Sequence, residues 1–143
     1  MNDFQFVIDW KTKGDNEKDT INKFFCYYIA FNWLYNKEYE NCEYKRVIAF
    51  IKDYLSHNAL YNPLAFCKSD EWKRNVRDPR NGKVKKYIIE ENDKTIKLFL
   101  LIYQIRCNLF HGSKWMISKR DNDLVRESVD VLQDLLQRII GDE

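Results

Sequence analysis

Arg106 and His111 are the two side chains in this sequence whose types and spacing suit chemistry on a phosphodiester. RNA carries its own nucleophile, the 2′-hydroxyl. A histidine, with an unperturbed pKa near 6.5, can take that proton or protonate the 5′-oxygen leaving group, and a guanidinium can stabilise the added charge of the phosphorane. No metal is needed for such a step. Five helical positions rotate His111 about 140° from Arg106, so in one unbroken helix the two do not converge. Either the chain leaves the helix at His111, or a second subunit completes the site. The plainer reading makes Arg106 a donor to carbonyls at a helix end and His111 a C-terminal cap.

The stretch that positions the pair is Leu98 to Gly112, LFLLIYQIRCNLFHG. As a helix its polar positions Lys97, Gln104 and Asn108 share one narrow seam. Arg106 falls about 200° from Gln104, among Phe99, Ile102, Tyr103 and Phe110, on the face expected to be buried. A permanent cation there requires an anion or a set of acceptors: a carboxylate, a carbonyl cluster or the phosphate of a ligand. Asn32, on the most apolar stripe of an earlier helix, needs partners too, since a buried amide without them costs about 1–3 kcal/mol. It either bonds to a neighbouring helix or loop, or faces Arg106 or His111 and orients it.

RCNLFHG resembles the Arg-x4-6-His signature of HEPN domains, small helical bundles of prokaryotic toxins and defence systems. The aromatic segment FCYYIAFNWLYN (Phe25 to Asn36) and an amphipathic last helix extend the resemblance over most of the chain. Many members place a polar residue directly after the arginine, whereas here it is Cys107, with Asn108 one step later. The resemblance implies a HEPN-like bundle and a metal-independent endoribonuclease of a toxin-antitoxin, defence or stress system. Arg106 and His111 would be catalytic at a homodimer cleft where two motifs face each other, with products ending in a 2′,3′-cyclic phosphate and a 5′-hydroxyl. Asn32, Asn108 and Lys114 are the expected supporting residues, and an antitoxin or another protein is an expected partner. The alternative is a catalytically silent HEPN module that binds nucleotide, RNA or a partner protein.

Other chemistries find no footing. The two histidines and scattered cysteines and acids have no metal-ligand spacing, and no Walker loop, dinucleotide fingerprint or nucleophile elbow occurs, so neither metal nor cofactor is expected. The chain has 143 residues, 45% hydrophobic and 15% aromatic, which fits one domain over 1–143 with its own core. Cys26, Cys42, Cys67 and Cys107 form no C-x-x-C pair and are expected as reduced core thiols. With no leader pattern and no apolar run near the roughly 20 residues of a membrane span, a cytoplasmic protein without membrane contact is expected.

Charge is uneven although the net is only +2. Lys68, Lys73, Arg74, Arg77, Arg80, Lys83, Lys85 and Lys86 crowd one stretch against Asp70, Glu71 and Asp78, while Asp121 to Glu143 is acidic. Lys73, Arg74, Arg77, Arg80, Lys83, Lys85 and Lys86 are therefore the candidate RNA-binding residues. A solvated loop balancing the acidic helix is the other reading.

Apolar periodicity predicts an all-α bundle of four to five helices. They cover about Asn16 to Asn36, Glu40 to Ser56, Asp93 to Phe110 or His111, and Asp121 or Asn122 onward, the first and third most buried. The period-two pattern Phe4, Phe6, Ile8, Trp10 suggests a short extended N-terminal arm, broken at Gly14 and Asp15. Asn81-Gly82, followed by Val84, Tyr87, Ile88 and Ile89, suggests a small hairpin insertion. Glu43, Lys45, Arg46 and Lys52 are expected on a solvated face, with His57 as a surface or capping histidine past the end of that helix.

Overall fold

Phe4, Val7, Ile8 and Lys11 recur at helical spacing, and in the computed structural model they line the inner side of a helix, α1 (Phe4–Asp15), rather than an extended arm. The alternation that suggested a strand is also an i, i+4 pattern. Phe6 and Trp10 lie one turn apart, and the Phe6 ring stacks on Trp33 at 5.8 Å. Gly14 belongs to this helix too. A Cβ there would lie 2.5 Å from Cε1 of the buried Tyr27, so the glycine is what lets α1 approach its neighbour.

The structure describes residues 4–69, 72, 76–78, 80–111 and 119–141, with the side chains of 111 and 119–121 outside that description. Among the described residues the protein is all-helical, with no strand. After α1 come α2 (Thr20–Tyr35), α3 (Glu43–His57), a 3-10 turn (Pro63–Phe66), the short α4 (Lys86–Ile89), α5 (Lys94–His111) and α6 (Lys119–Gly141).

Local chemistry sets these ends. Asp19 caps α2 by accepting from the Asn22 backbone N–H at 3.0 Å, and Asp93 caps α5 by accepting from Thr95 and Ile96. The α3 helix begins three residues later than its apolar pattern suggests, after Cys42 in extended conformation.

The central helix is α2, packed between α1 and α6, while α3 packs chiefly on α5. Phe24, Tyr27, Phe31 and Tyr35 of α2 are fully buried, as are Phe99, Leu100, Ile102 and Ile105 of α5 and Leu124, Leu132, Leu135 and Leu136 of α6. Phe31 meets Phe99 at 5.5 Å in the middle of the core. No described helix is long and apolar enough to cross a membrane.

The expected hairpin is absent from the described residues. Gly82 does turn with φ +70°, but the turn closes over the buried Asp78, whose backbone N–H donates to the Lys83 carbonyl at 2.8 Å. The chain then enters α4, and Tyr87 stacks face to face with Tyr44 of α3 at 4.0 Å. All four cysteines are free. Cys26 is buried and Cys67 and Cys107 are half-buried, but Cys42 is exposed and is not a core thiol.

Candidate active site around Arg106

The anion that meets Arg106 is a carboxylate, Glu43. Its Oε1 lies 3.6 Å from Nη1 of the guanidinium. Glu43 was expected on a solvated face, yet its side chain is only 24% exposed because it opens α3 beneath the end of α2. A negative group at that helix N-terminus is also favoured by the helix field.

The α2 helix fixes the carboxylate. Oε2 accepts from the Tyr35 hydroxyl at 2.5 Å and from Nδ2 of Asn32 at 3.0 Å, and Tyr103 of α5 donates to Oε1 at 3.5 Å. Because Tyr35 donates its single proton to Glu43, it must accept from Tyr28 at 3.0 Å and from Asn32 at 2.8 Å. The chain of donors therefore runs Tyr28 to Tyr35 to Glu43. Burial first, and the Glu43 carboxylate next, push the Tyr35 hydroxyl far above the usual phenol range, so it stays a donor.

Arg106 itself is more open than its sequence setting suggests. Its side chain is 27% exposed, and the guanidinium carbon sits 4.8 Å from the Phe110 ring and 5.6 Å from Tyr28. Burial opposes the charge, but Tyr28 and Glu43 outweigh it and hold the pKa above the ordinary guanidinium value. The ion pair is longer than a hydrogen bond. Among the described residues the guanidinium makes this ion pair and these ring contacts, so its planar fork of donors can still take an anion. It does so at the side of a pocket of about 270 Å³, lined by Phe25, Tyr28, Ile29, Asn32, Arg106 and Phe110.

The other candidate residues divide. Asn32 lines the pocket, and its amide donates to Glu43 of α3 and to Tyr35, which is the bond to a neighbouring helix; it touches the Arg106 counter-charge, not the guanidinium. Asn108 is not a supporting residue of this site. It is fully buried, accepts from Gln104 at 2.7 Å and donates to the Arg77 carbonyl at 2.9 Å, thereby docking the Val76 to Asp78 segment on α5. Gln104 and Asn108 of the polar seam are thus buried, while on the Arg106 face Phe99 and Ile102 are buried as expected and only its C-terminal part, at Arg106 and Phe110, is open. Lys114 lies outside the described residues, as does the side chain of His111. The α5 helix ends at His111, within the expected bounds, and residues 112–118 lie outside the described residues. His57 is an exposed residue at the end of α3, its Nδ1 near Ser56 and the Asp53 carbonyl.

Of the basic stretch, Lys73 and Arg74 lie outside the described residues. Arg80 and Lys85 both bind the Asp78 carboxylate, at 3.0 and 3.1 Å, and Arg77 donates to the Gly82 carbonyl. Lys86 pairs with Glu90 at 3.6 Å. Lys83 is exposed. Arg77, Arg80 and Lys85 thus help to close the loop, while Arg77, Arg80, Lys83 and Lys86 remain exposed.

Glu43, Tyr35, Tyr28, Tyr103 and Phe110 are site residues that the sequence pattern did not single out. Only the unmatched charge of Arg106 signalled that an anion or a set of acceptors must meet it. Among the described residues no three of His, Cys, Asp and Glu gather as a metal site would. Comparison of the chain with family models, curated proteins and solved structures finds no match.

Proposed function

We propose that the chain is a metal-independent endoribonuclease of HEPN type, with Arg106 and His111 acting at a cleft between two copies. The observation that carries this reading is the placement of Arg106. Its guanidinium is held by a carboxylate that α2 has fixed, with donors still available at an open, aromatic-lined surface. A donor pre-oriented in this way suits charge that develops only in a transition state.

In this reading the 2′-hydroxyl loses its proton and attacks the adjacent phosphorus, and the 5′-oxygen leaves with a proton. Arg106 meets the non-bridging oxygens, and His111 transfers a proton on one side of the reaction. His111 is the last residue of α5, and helical geometry sets positions 106 and 111 about 140° apart within one chain. The composite arrangement, in which one copy supplies Arg106 and the other His111, is therefore favoured over a site built within one chain. RNA is the partner, and the free thiols fit a reducing cytoplasm.

One observation favours the silent module instead. Glu43 already balances Arg106, which weakens its pull on a phosphate. End-group analysis separates the two. Incubation of RNA with purified protein in EDTA should give 2′,3′-cyclic phosphate and 5′-hydroxyl ends; binding without any cut would establish the silent module.

A further inference from the structure

We infer that the pocket beside Arg106 is a base subsite that selects a nucleobase carrying an exocyclic amino group, with Asn32 presenting the acceptor. The inference rests on the reading of Arg106 as a phosphate-binding residue and names which nucleotide its site takes.

Pocket chemistry suits a flat, mostly apolar ring attached to an anion. Phe25, Tyr28, Ile29 and Phe110 supply the walls, about 270 Å³ of space lies between them, and the guanidinium stands at the side. The rings of Phe25 and Phe110 are 5.3 Å apart, too close to sandwich a base between them. A base therefore lies against their outer surface, of which Phe110 leaves 63% exposed. Base–aromatic stacking of this kind tolerates any base. Selection needs a polar group whose direction is fixed.

Asn32 supplies one. Carboxylate oxygens only accept, so the amide group 3.0 Å from Glu43 must be the NH2, and the orientation of Asn32 follows from the network. Both N–H bonds are then occupied, one by Glu43 and one by Tyr35. What Asn32 retains for a ligand is Oδ1, which accepts from the exposed Asn36 at 3.0 Å and has a second lone pair. An amino group of adenine or cytosine satisfies that oxygen. The carbonyl that replaces it in hypoxanthine or uracil sets two acceptors against each other.

The test uses nucleoside monophosphates in two matched pairs, AMP with IMP and CMP with UMP, each differing by amino for carbonyl, with ribose 5-phosphate as the probe lacking a base. Binding to wild-type protein is measured by calorimetry. AMP and CMP should each bind about tenfold more tightly than their partners, as one unsatisfied acceptor implies, and ribose 5-phosphate should bind more weakly than all four. Asn32→Ala should remove the discrimination within each pair, and Phe110→Ala should bring the nucleotides down toward ribose 5-phosphate. Equal binding within the pairs, or binding no tighter than ribose 5-phosphate, overturns the subsite. So does a pocket occupied by a second copy, seen as loss of self-association in Phe110→Ala with nucleotide binding unchanged. Monophosphates are not cleaved, so discrimination without RNA cleavage retains the subsite and removes only the ribonuclease reading. Cleavage without discrimination does the reverse.

Discussion

Oε1 of Glu43 stands 3.6 Å from Nη1 of Arg106, while its other oxygen is gripped by Tyr35 and Asn32. The pair joins the start of α3 to the last turns of α5, and α2 fixes the acid from behind. The cation on α5 therefore finds its anion within its own chain. No second subunit is needed to neutralise it. What still favours two copies is the angular separation of Arg106 from His111.

Removing the acid should cost more than removing the base. Glu43→Ala leaves a half-buried guanidinium without its partner and strips Tyr35 and Asn32 of their acceptor, for an expected loss of about 2–3 kcal/mol. Arg106→Ala leaves Glu43 with its other donors and should cost about 1 kcal/mol, since the pair is partly solvated. Urea unfolding of both variants and the double mutant measures the coupling; purely additive losses would show that the two do not interact.

Stability should also fall in acid through Asp78. Arg80 beside it, then Lys85, hold its carboxyl far below the usual carboxylate range. A depressed folded-state pKa contributes stability above the unfolded value of about 3.9 and loses it as pH falls through the folded value. Unfolding free energy should drop from about pH 4 downward, and Asp78→Asn should flatten that part of the curve. An unchanged acid limb in Asp78→Asn would place the effect elsewhere.

Gly14→Ala should destabilise although alanine is the better helix former. Helix propensity favours alanine by about 1 kcal/mol, but the new Cβ would lie 2.5 Å from the Tyr27 ring, which is fully buried and held at its hydroxyl by Asp15. A net loss of about 1–2 kcal/mol is expected from such overpacking. A rise in Tm would mean that α1 can shift away from α2 freely.

The basic loop makes a sharper contrast than its composition suggests. Lys83→Glu should weaken RNA binding and flatten its salt dependence by about one ion without unfolding, as loss of a phosphate contact does. Lys85→Glu should instead disturb the Asp78 turn and lower stability. Equal effects of the two on binding alone would mean that Lys85 faces RNA and that its bond to Asp78 is dispensable.

Periodicity made the main helices legible, because the stripes of α2, α5 and α6 repeat over several turns and need no knowledge of neighbours. It failed on α1, where Phe4 to Trp10 satisfies both a period of two and an i, i+4 pattern. The site was legible as a demand rather than a position. An arginine among Phe99, Ile102 and Tyr103 announces that an anion or a set of acceptors is required, yet nothing in the spacing selects Glu43, whose partners Tyr35, Asn32 and Tyr103 lie on two other helices. The inward seam of Gln104 and Asn108 was hidden for the same reason. Its cover, the Val76 to Asp78 segment, is distant in sequence.

The most direct measurement is the separate effect of Arg106→Ala, Arg106→Lys and His111→Ala on RNA binding and on single-turnover cleavage in EDTA. A transition-state contact is expressed in rate more than in affinity, and lysine keeps the charge of arginine but loses its planar fork. All three variants should bind RNA within a few-fold of wild type and cut it at least about a hundredfold more slowly. Variants that cut as fast as wild type, or a wild-type protein that binds RNA and never cuts it, would contradict the assignment of Arg106 and His111 as the catalytic pair.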